Sequence, residues 1–494
     1  MTSRLSFATL DQARPAARRP ALDPRAMSTG SVHLGVGAFH RAHQAVFTED
    51  AMAAAGESGW GIHAVTQRSA RVAEQLDPQD GLYGVLTCGL DGAGEPERSL
   101  RIVGAVRAVS FPGEQTGEVL ARLAAPTTHL VTLTVTEKGY RRSGDRLDLR
   151  DEGVQADLAA LREERRTGTA VETAAGSPIG MLARGLARRA HGAATPMSVV
   201  CCDNIVHNGP MVGRLVSEFL LAAGADGAAA WVADHVTFPA TMVDRIVPAT
   251  TAAERAAAEA ISGLQDEGLV VAEPYRQWVI EDSFAGPRPA WERAGATLTS
   301  DVAPFEEAKL RILNGTHSYL AYRGALLGHA TIAEAVTDAG LGAEVSAFID
   351  HDVIPTLTPP PGVDLGQYRD SVLERFANPA LGHTTQQVAM DGSQKLPVRL
   401  LGTAADRLTA GAIPERTARA VAAWMVFVAR AADGSSPLVL DDPQAEVLGA
   451  AVAGAASGAA LADRLLDLEQ IFPPALAGDE RFRSAVREQV TDLA

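Results

Sequence analysis

The chain of 494 residues carries 44 basic and 60 acidic side chains, a net charge of −16, with 46% hydrophobic and 21% charged residues. That balance excludes a disordered chain and argues against nucleic acid or an anionic membrane surface as partner, since both call for a basic face. Three cysteines, Cys88 and the adjacent pair Cys201 and Cys202, form neither a CxxC motif nor a disulfide framework, which predicts a reducing, cytoplasmic setting and no thiolate zinc site.

The first thirty residues hold five arginines and three prolines but no apolar run, and read as an irregular lead-in, not a signal peptide. Residues 31–36 (SVHLGV) read as a strand entering Gly35-Val36-Gly37, residues 39–55 as a helix ended by Gly56, and residues 60–66 (WGIHAVT) as the next strand. Strand, glycine turn, helix and strand in this order make a βαβ unit. Glycines there let backbone N–H groups approach a pyrophosphate at the positive end of the helix. Gly35, Val36, Gly37, Ala38, Phe39, His40 and Arg41 are therefore candidate cofactor contacts. His40 stands where the usual fingerprint has its third glycine, so the motif is incomplete. The second strand runs into Thr66, Gln67 and Arg68 with no acid to take the ribose hydroxyls of NAD. Arg68 is suited to a 2′-phosphate, which keeps NADP open beside NAD.

Residues 128–136 (THLVTLTVT) and 197–202 (MSVVCC) read as further buried strands, with a helical stretch at 154–166 between them. This alternation predicts a parallel sheet covered on both faces. Ligands bind such sheets at the carboxyl ends of the strands. Thr136-Glu137-Lys138-Gly139-Tyr140 and Cys202-Asp203-Asn204 both lie there, with Asn204 placed to donate to a substrate oxygen. No apolar stretch is long enough for a transmembrane helix; residues 215–232, for example, are broken by Glu218 and Asp226. Past about residue 290 the pattern turns helical, at 304–327, 333–348, 365–376, 414–432 and 444–468. The predicted class is α/β, with residues 1–290 a Rossmann-type dinucleotide-binding domain and residues 291–494 a mostly α-helical substrate-binding and catalytic domain.

Lysine occurs only at Lys138, Lys309 and Lys395, so nearly every basic residue is arginine. A lysine that must give up a proton cannot be replaced by arginine, which stays charged, so all three are suspects. Glu306, Lys309, Asn314 and His317 fall within one predicted helix. At about 100° per residue, with Lys309 at the origin, Glu306 lies at about 60°, His317 at about 80° and Asn314 at about 140°. Leu310, Ile312 and Leu313 interleave with them, and a lysine among apolar neighbours is desolvated, which lowers its pKa toward proton exchange near neutrality. A solvated polar face, or a Glu306–Lys309 salt bridge, is the competing reading. Lys138 and Lys395 lie in loops that could be simple turns.

VHLGVGAFHRAHQ (32–44), LTVTEKGY (133–140), CDN (202–204), FPATMVDRIVP (238–248), EPYRQWVIEDSF (273–284), KLRILNGTHSYLAY (309–322) and DGSQKLP (391–397) occur in this order. Together they resemble the polyol-specific long-chain dehydrogenases, a family that includes mannitol 2-dehydrogenase and fructuronate reductase. The resemblance implies NAD-dependent, metal-independent hydride transfer at a secondary alcohol. It implies Lys309 as general base, Asn204 and Asn314 polarising the reacting oxygen, His317 holding substrate, and Glu306 passing the proton to solvent. It also sets Asp244 on the substrate side and Glu137 on the cofactor side. TEKGY in place of TEGGY, and Gln387 in place of an arginine eight residues before Lys395, are more similar to fructuronate reductase. A sugar acid needs a cation, for which Lys138 and Lys395 are candidates, while the neutral Gln387 counts the other way. The expected reaction interconverts D-mannonate and D-fructuronate, with a small molecule as the only partner and no obligate protein partner. Mannitol 2-dehydrogenase, or another polyol or sugar-acid dehydrogenase, is the alternative within the family. A non-catalytic dinucleotide sensor is the alternative of another class.

Overall fold

The computed structural model describes residues 2–92, 94–172, 175–434, 436–455 and 458–494, and the chain divides into two units, Met1–Val302 and Ala303–Ala494. In the first, short apolar segments pair as six strands: β1 (Thr29–Leu34), β2 (Gly61–Val65), β3 (Val106–Ser110), β4 (Leu130–Leu133), β5 (Met197–Cys201) and β6 (Val236–Thr237). Their order across the sheet is β3-β2-β1-β4-β5-β6, every pair parallel. This is the doubly wound nucleotide-binding order, whose reversal of direction falls between β1 and β4. The strands are covered on both faces, and the two-residue period decides which face each side chain joins. Val131, Leu133, Val199 and Cys201 join a core with Val119, Leu182 and Val216, from helices α1 (Pro112–Ala124), α2 (Pro178–His191) and α3 (Asn208–Ala222). Leu130, Val200 and Cys202 point the other way, onto Phe47, Trp278 and Trp291. The register pairs Leu34 with Leu133 and Leu133 with Cys201. β1, β4 and β5 therefore end level, and the three loops that follow them open on one edge.

The predicted helix at 39–55 is broken: Ala38–Ala42 and Gln44–Ala55 are separate helices flanking His43, at φ −121° and ψ −85°. Tertiary contacts impose the break. The His43 ring meets the Gln277 carbonyl oxygen at 2.8 Å and packs on Phe39, Phe47 and Trp278. Hydrophobic period alone also gives no sign of the hairpin Tyr83–Leu90 and Pro96–Val103, which with Ala17–Arg18 and Val270–Ala272 makes a mixed four-stranded sheet.

The second unit is helical around one core in which Val421, Trp424, Met425 and Val428 of helix Glu415–Ala432 are buried. The segment predicted at 304–327 is not one α-helix. It runs as α-helix Ala303–Ala308, π-helix Lys309–Gly315 and α-helix Thr316–Leu327. Two more π-helical segments, Ile349–Val353 and Pro397–Leu401, occur in this unit. The predicted 333–348 helix divides at Asp338, whose side chain caps Leu341 N at 2.8 Å. The 444–468 stretch contains Ala445–Val452 and Gly458–Leu466, and its residues 456–457 lie outside the described residues. Among the described residues no helix is long and apolar enough to cross a membrane.

The glycine turn after β1 separates a fold requirement from a ligand requirement. Gly35 has φ +99°, and a Cβ there would lie 2.1 Å from the Thr134 carbonyl oxygen. Gly37 has φ −90°, and a Cβ there would meet only the Gly35 carbonyl oxygen, at 3.8 Å. Gly35→Ala should lower stability by about 1–3 kcal/mol from backbone strain alone, whereas Gly37→Ala should stay within about 0.5 kcal/mol of the parent. Urea unfolding of the two variants checks this.

Candidate active site

At the open edge of the sheet, Gly35 N and Val36 N bond the Val65 carbonyl at 2.9 and 3.1 Å, and Thr134 Oγ1 donates to the Gly35 carbonyl at 2.8 Å. The turn is thus tied to the strands on both sides of it. Beside it lies a cavity of about 360 Å³, lined among others by Leu34, Thr66, Gln67, Arg68, Lys138 and Gly139. Among the described residues no aspartate or glutamate lines it. Arg68 and Lys138 are exposed there and pair with no carboxylate among the described residues. A glycine that no other residue can replace, level strand ends and an adjoining cavity fit a dinucleotide.

The loops after β4 and β5 are stapled by Asp203. Its carboxylate accepts from Val135 N at 2.8 Å, Thr136 N at 2.9 Å and Tyr140 Oη at 2.5 Å. Burial raises the Asp203 pKa against these bonds, and burial beside Cys201 and Asp203 holds the Tyr140 phenol well above its usual range. Asn208 performs the same service on the other side, donating to the Asp203 carbonyl at 3.0 Å and the Thr241 carbonyl at 2.9 Å. Asn204, exposed, sits between these two anchors in sequence, and Asp244 is buried at the end of strand Thr241–Asp244.

In the second unit the π-helix changes the expected geometry. Bonds from residue i to i+5 widen the turn, so Lys309 and Asn314, five apart within Lys309–Gly315, fall on one face of the segment instead of about 140° apart. Lys309 is buried at 6% exposure, and Glu306, Asn314 and His317 are partly buried. The Asn314 carboxamide has no hydrogen-bond partner among the described residues, and the buried His317 Nε2 has none either. The His317 ring stacks on Phe376 at 4.7 Å and lies 5.8 Å from the His383 ring. Burial, then Arg399, His383, Lys395 and Arg375, hold its pKa well below the usual range, so it is neutral.

The remaining expected residues divide. His40 is buried and stacked on His33 at 3.3 Å. Arg41 turns inward, its guanidinium donating to the Gly268 and Gly37 carbonyls, and Val36 is core. Glu137 pairs with Arg142 at 3.1 Å. Gln387 closes a capping box with Thr384, its Oε1 accepting from Thr384 N at 3.3 Å. Lys395 Nζ donates to the Met390 and Val388 carbonyls at 2.5 and 3.3 Å, with Asp391 at 4.0 Å, and burial with Arg399 lowers its pKa to about 8. Lys138 shares the cavity beside β1 with Arg68. Sequence reasoning missed Asp203, Asn208 and Arg399. Scarcity of asparagine was a usable signal for Asn208, but nothing marked Arg399 among so many arginines. Among the described residues no group of three or more His, Cys, Asp or Glu is placed to hold a metal.

Sequence comparison matches residues 29–293 to the mannitol dehydrogenase Rossmann domain and residues 301–494 to the mannitol dehydrogenase C-terminal domain. The chain is 38% identical to the uncharacterized oxidoreductase YdfI of Escherichia coli K12 over 481 residues, covering 96% of this chain and 94% of that one. It is 38% identical to D-mannonate oxidoreductase of the same organism over 431 residues, 86% of this chain and 85% of that one. Among solved structures, Pseudomonas fluorescens mannitol 2-dehydrogenase in ternary complex with NAD and D-mannitol superposes with a TM-score of 0.84 at 32% identity, covering 99% of this chain and 96% of that one.

The surroundings of His317 make its protonation a direct probe. With histidine-selective labelling, its imidazole signal should stay that of the neutral ring as pH falls through 6.5, the ordinary histidine value. Arg399→Met removes the foremost of those charges and should move the titration upward. A wild-type His317 that titrates at its ordinary value would contradict the arrangement.

Proposed function

This chain belongs to the mannitol dehydrogenase family, and we propose that within it the enzyme reversibly oxidises D-mannonate to D-fructuronate. It is an NAD-dependent oxidoreductase of secondary alcohols. The observation that carries the substrate reading is the second-unit cluster. A buried lysine and an open asparagine carboxamide share one face of a π-segment, beside a neutral histidine on which Arg399, Lys395 and Arg375 act. Such surroundings favour an acid over a neutral polyol. The 38% identity to a D-mannonate oxidoreductase supports the same choice.

Gly35, Val36 and Gly37, with Thr66, Gln67, Arg68 and Lys138 lining the adjoining cavity, are the residues that would hold the dinucleotide. When bound, NAD supplies the hydride acceptor. Lys309, desolvated and so able to be neutral, takes the proton of the C5 hydroxyl, and Glu306 relays it to solvent. Asn204 and Asn314 donate to the oxygen as it gains negative charge, a role in which one donor is worth about 3 kcal/mol. His317, neutral, offers its open Nε2 to a substrate hydroxyl. Asp244 holds a further hydroxyl. The exposed Arg68 in the cavity lining supports NADP as a second cofactor. Three buried cysteines joined by no disulfide among the described residues support a cytoplasmic setting.

Lys309→Ala should cut turnover by about 10²–10⁴-fold, the usual span for a general base, while NADH binding measured by fluorescence stays close to wild type. Lys309→Arg should fail as well, because guanidinium keeps its proton. D-Mannonate, D-mannitol, D-altronate and D-arabinitol, each assayed with NAD and with NADP, test the substrate. Mannitol turning over far faster than mannonate would overturn the assignment.

A further inference from the structure

Arg399 is a charged side chain of the second unit to which the proposed reaction gives no task. It stands on the π-helical Pro397–Leu401 segment, which approaches the Lys309–Gly315 segment where the latter has no side chain. A Cβ at Gly315 would lie 3.0 Å from the Arg399 carbonyl oxygen. From there Nη1 donates to the Asn314 carbonyl at 3.4 Å and to Ser318 Oγ at 3.1 Å. Those two bonds fix the plane of the guanidinium on the turn that carries Asn314 and His317. Among the described residues, Nε and Nη2 have no hydrogen-bond partner, and no carboxylate lies within ion-pair distance.

The other nearby cations are already engaged. Lys395 is held by the Met390 and Val388 carbonyls and faces Asp391, and Arg375 has a partner of its own. Asp391 acts on the Arg399 guanidinium only from beyond ion-pair distance, and a partly buried guanidinium left with one open edge favours an incoming anion. That edge carries two parallel N–H groups, the complement of a carboxylate. Arg399 thus bonds the backbone of the residue whose carboxamide is open, Asn314, and its charge acts on His317, whose Nε2 is open.

We infer that the Nε–Nη2 edge of Arg399 receives the carboxylate of a sugar-acid substrate and so decides between aldonates and neutral polyols. The inference rests on the proposed dehydrogenase role of the Lys309 cluster. An aldonate supplies two charge-assisted bonds at this edge. A neutral polyol supplies hydroxyls that leave the charge unanswered, and a lysine in place of Arg399 would present a point charge with no fork.

The test compares wild type, Arg399→Gln and Arg399→Lys for kcat and KM on D-mannonate, D-altronate and D-mannitol. The titration of D-mannonate into the enzyme–NADH complex is measured alongside, with melting temperature as the folding control. The expected result is a wild type that prefers an aldonate. In Arg399→Gln the ratio of aldonate to mannitol kcat/KM should collapse by on the order of 10²-fold, mostly through KM, with D-mannonate binding weakened in step. Arg399→Lys should fall between. Equal losses on acid and polyol in both variants would make Arg399 a structural residue and overturn the inference while leaving the functional reading intact. A wild type that prefers D-altronate, with the same collapse, would replace D-mannonate but uphold Arg399. A wild type that both binds and oxidises mannitol better than either acid would overturn both.

Discussion

Positive charge gathered inside a protein must be answered, and in the helical unit the answer is incomplete. Arg399, Lys395 and Arg375 all push the His317 pKa down, and Asp391 answers Lys395 at 4.0 Å but forms no ion pair with Arg399. The backbone around the cluster is arranged to keep it so. Among the described residues this unit has three π-helical segments, including the one that begins at Lys309 and the one that bears Arg399. Single π-turns inside α-helices are uncommon and cluster at functional sites. Here one brings a lysine and an asparagine onto one face, and Gly315 lets another approach closely enough to lay a guanidinium on the same turn. The helix Glu415–Ala432, buried from Thr417 to Val428 apart from Arg419, supplies rigid packing behind these irregular segments. Asp352 of the remaining π-segment, Ile349–Val353, accepts from Thr417 N and Oγ1 at 2.7 and 2.9 Å and ties that segment to the same helix.

The first unit solves a different problem, which is to hold three loops open at one edge without losing their geometry. Parallel register makes β1, β4 and β5 end together. Asp203 and Asn208 then fasten the loops with side-chain bonds to backbone, since loops of this kind cannot use ladder bonds. A buried carboxylate capped by two N–H groups and a phenol is rigid, and it leaves the neighbouring Asn204 to face outward.

Much of this is legible in the sequence where a local rule is strong. The glycine turn, the buried strands and Gly56 as a left-handed helix end follow from backbone chemistry, and a predicted helix at 365–376 matches Leu365–Phe376. Scarcity of lysine points to Lys309, which the structure buries. Other residues take roles that no local rule assigns. Arg41 sits in the turn motif yet spends its guanidinium on Gly268, remote in sequence. Gln387 stands where a substrate contact is expected, and its side chain caps a helix. The helical period across 304–327 conceals a π-segment, because an inserted residue shifts the phase of the polar positions without changing their types.

By itself, the sequence determined the alternation of strands and helices, the glycine turn and the supply of a lysine, two asparagines and a histidine with the right chemistry, because each depends on residue type and near-neighbour spacing. Tertiary structure alone decided that β1, β4 and β5 end level, that Lys309 and Asn314 share one face, and that Arg399, bonded to the turn that carries Asn314, keeps an open edge. Those depend on backbone hydrogen-bond register and on contacts between residues remote in the chain, such as Arg399 with Asn314 and Ser318, which no periodicity encodes.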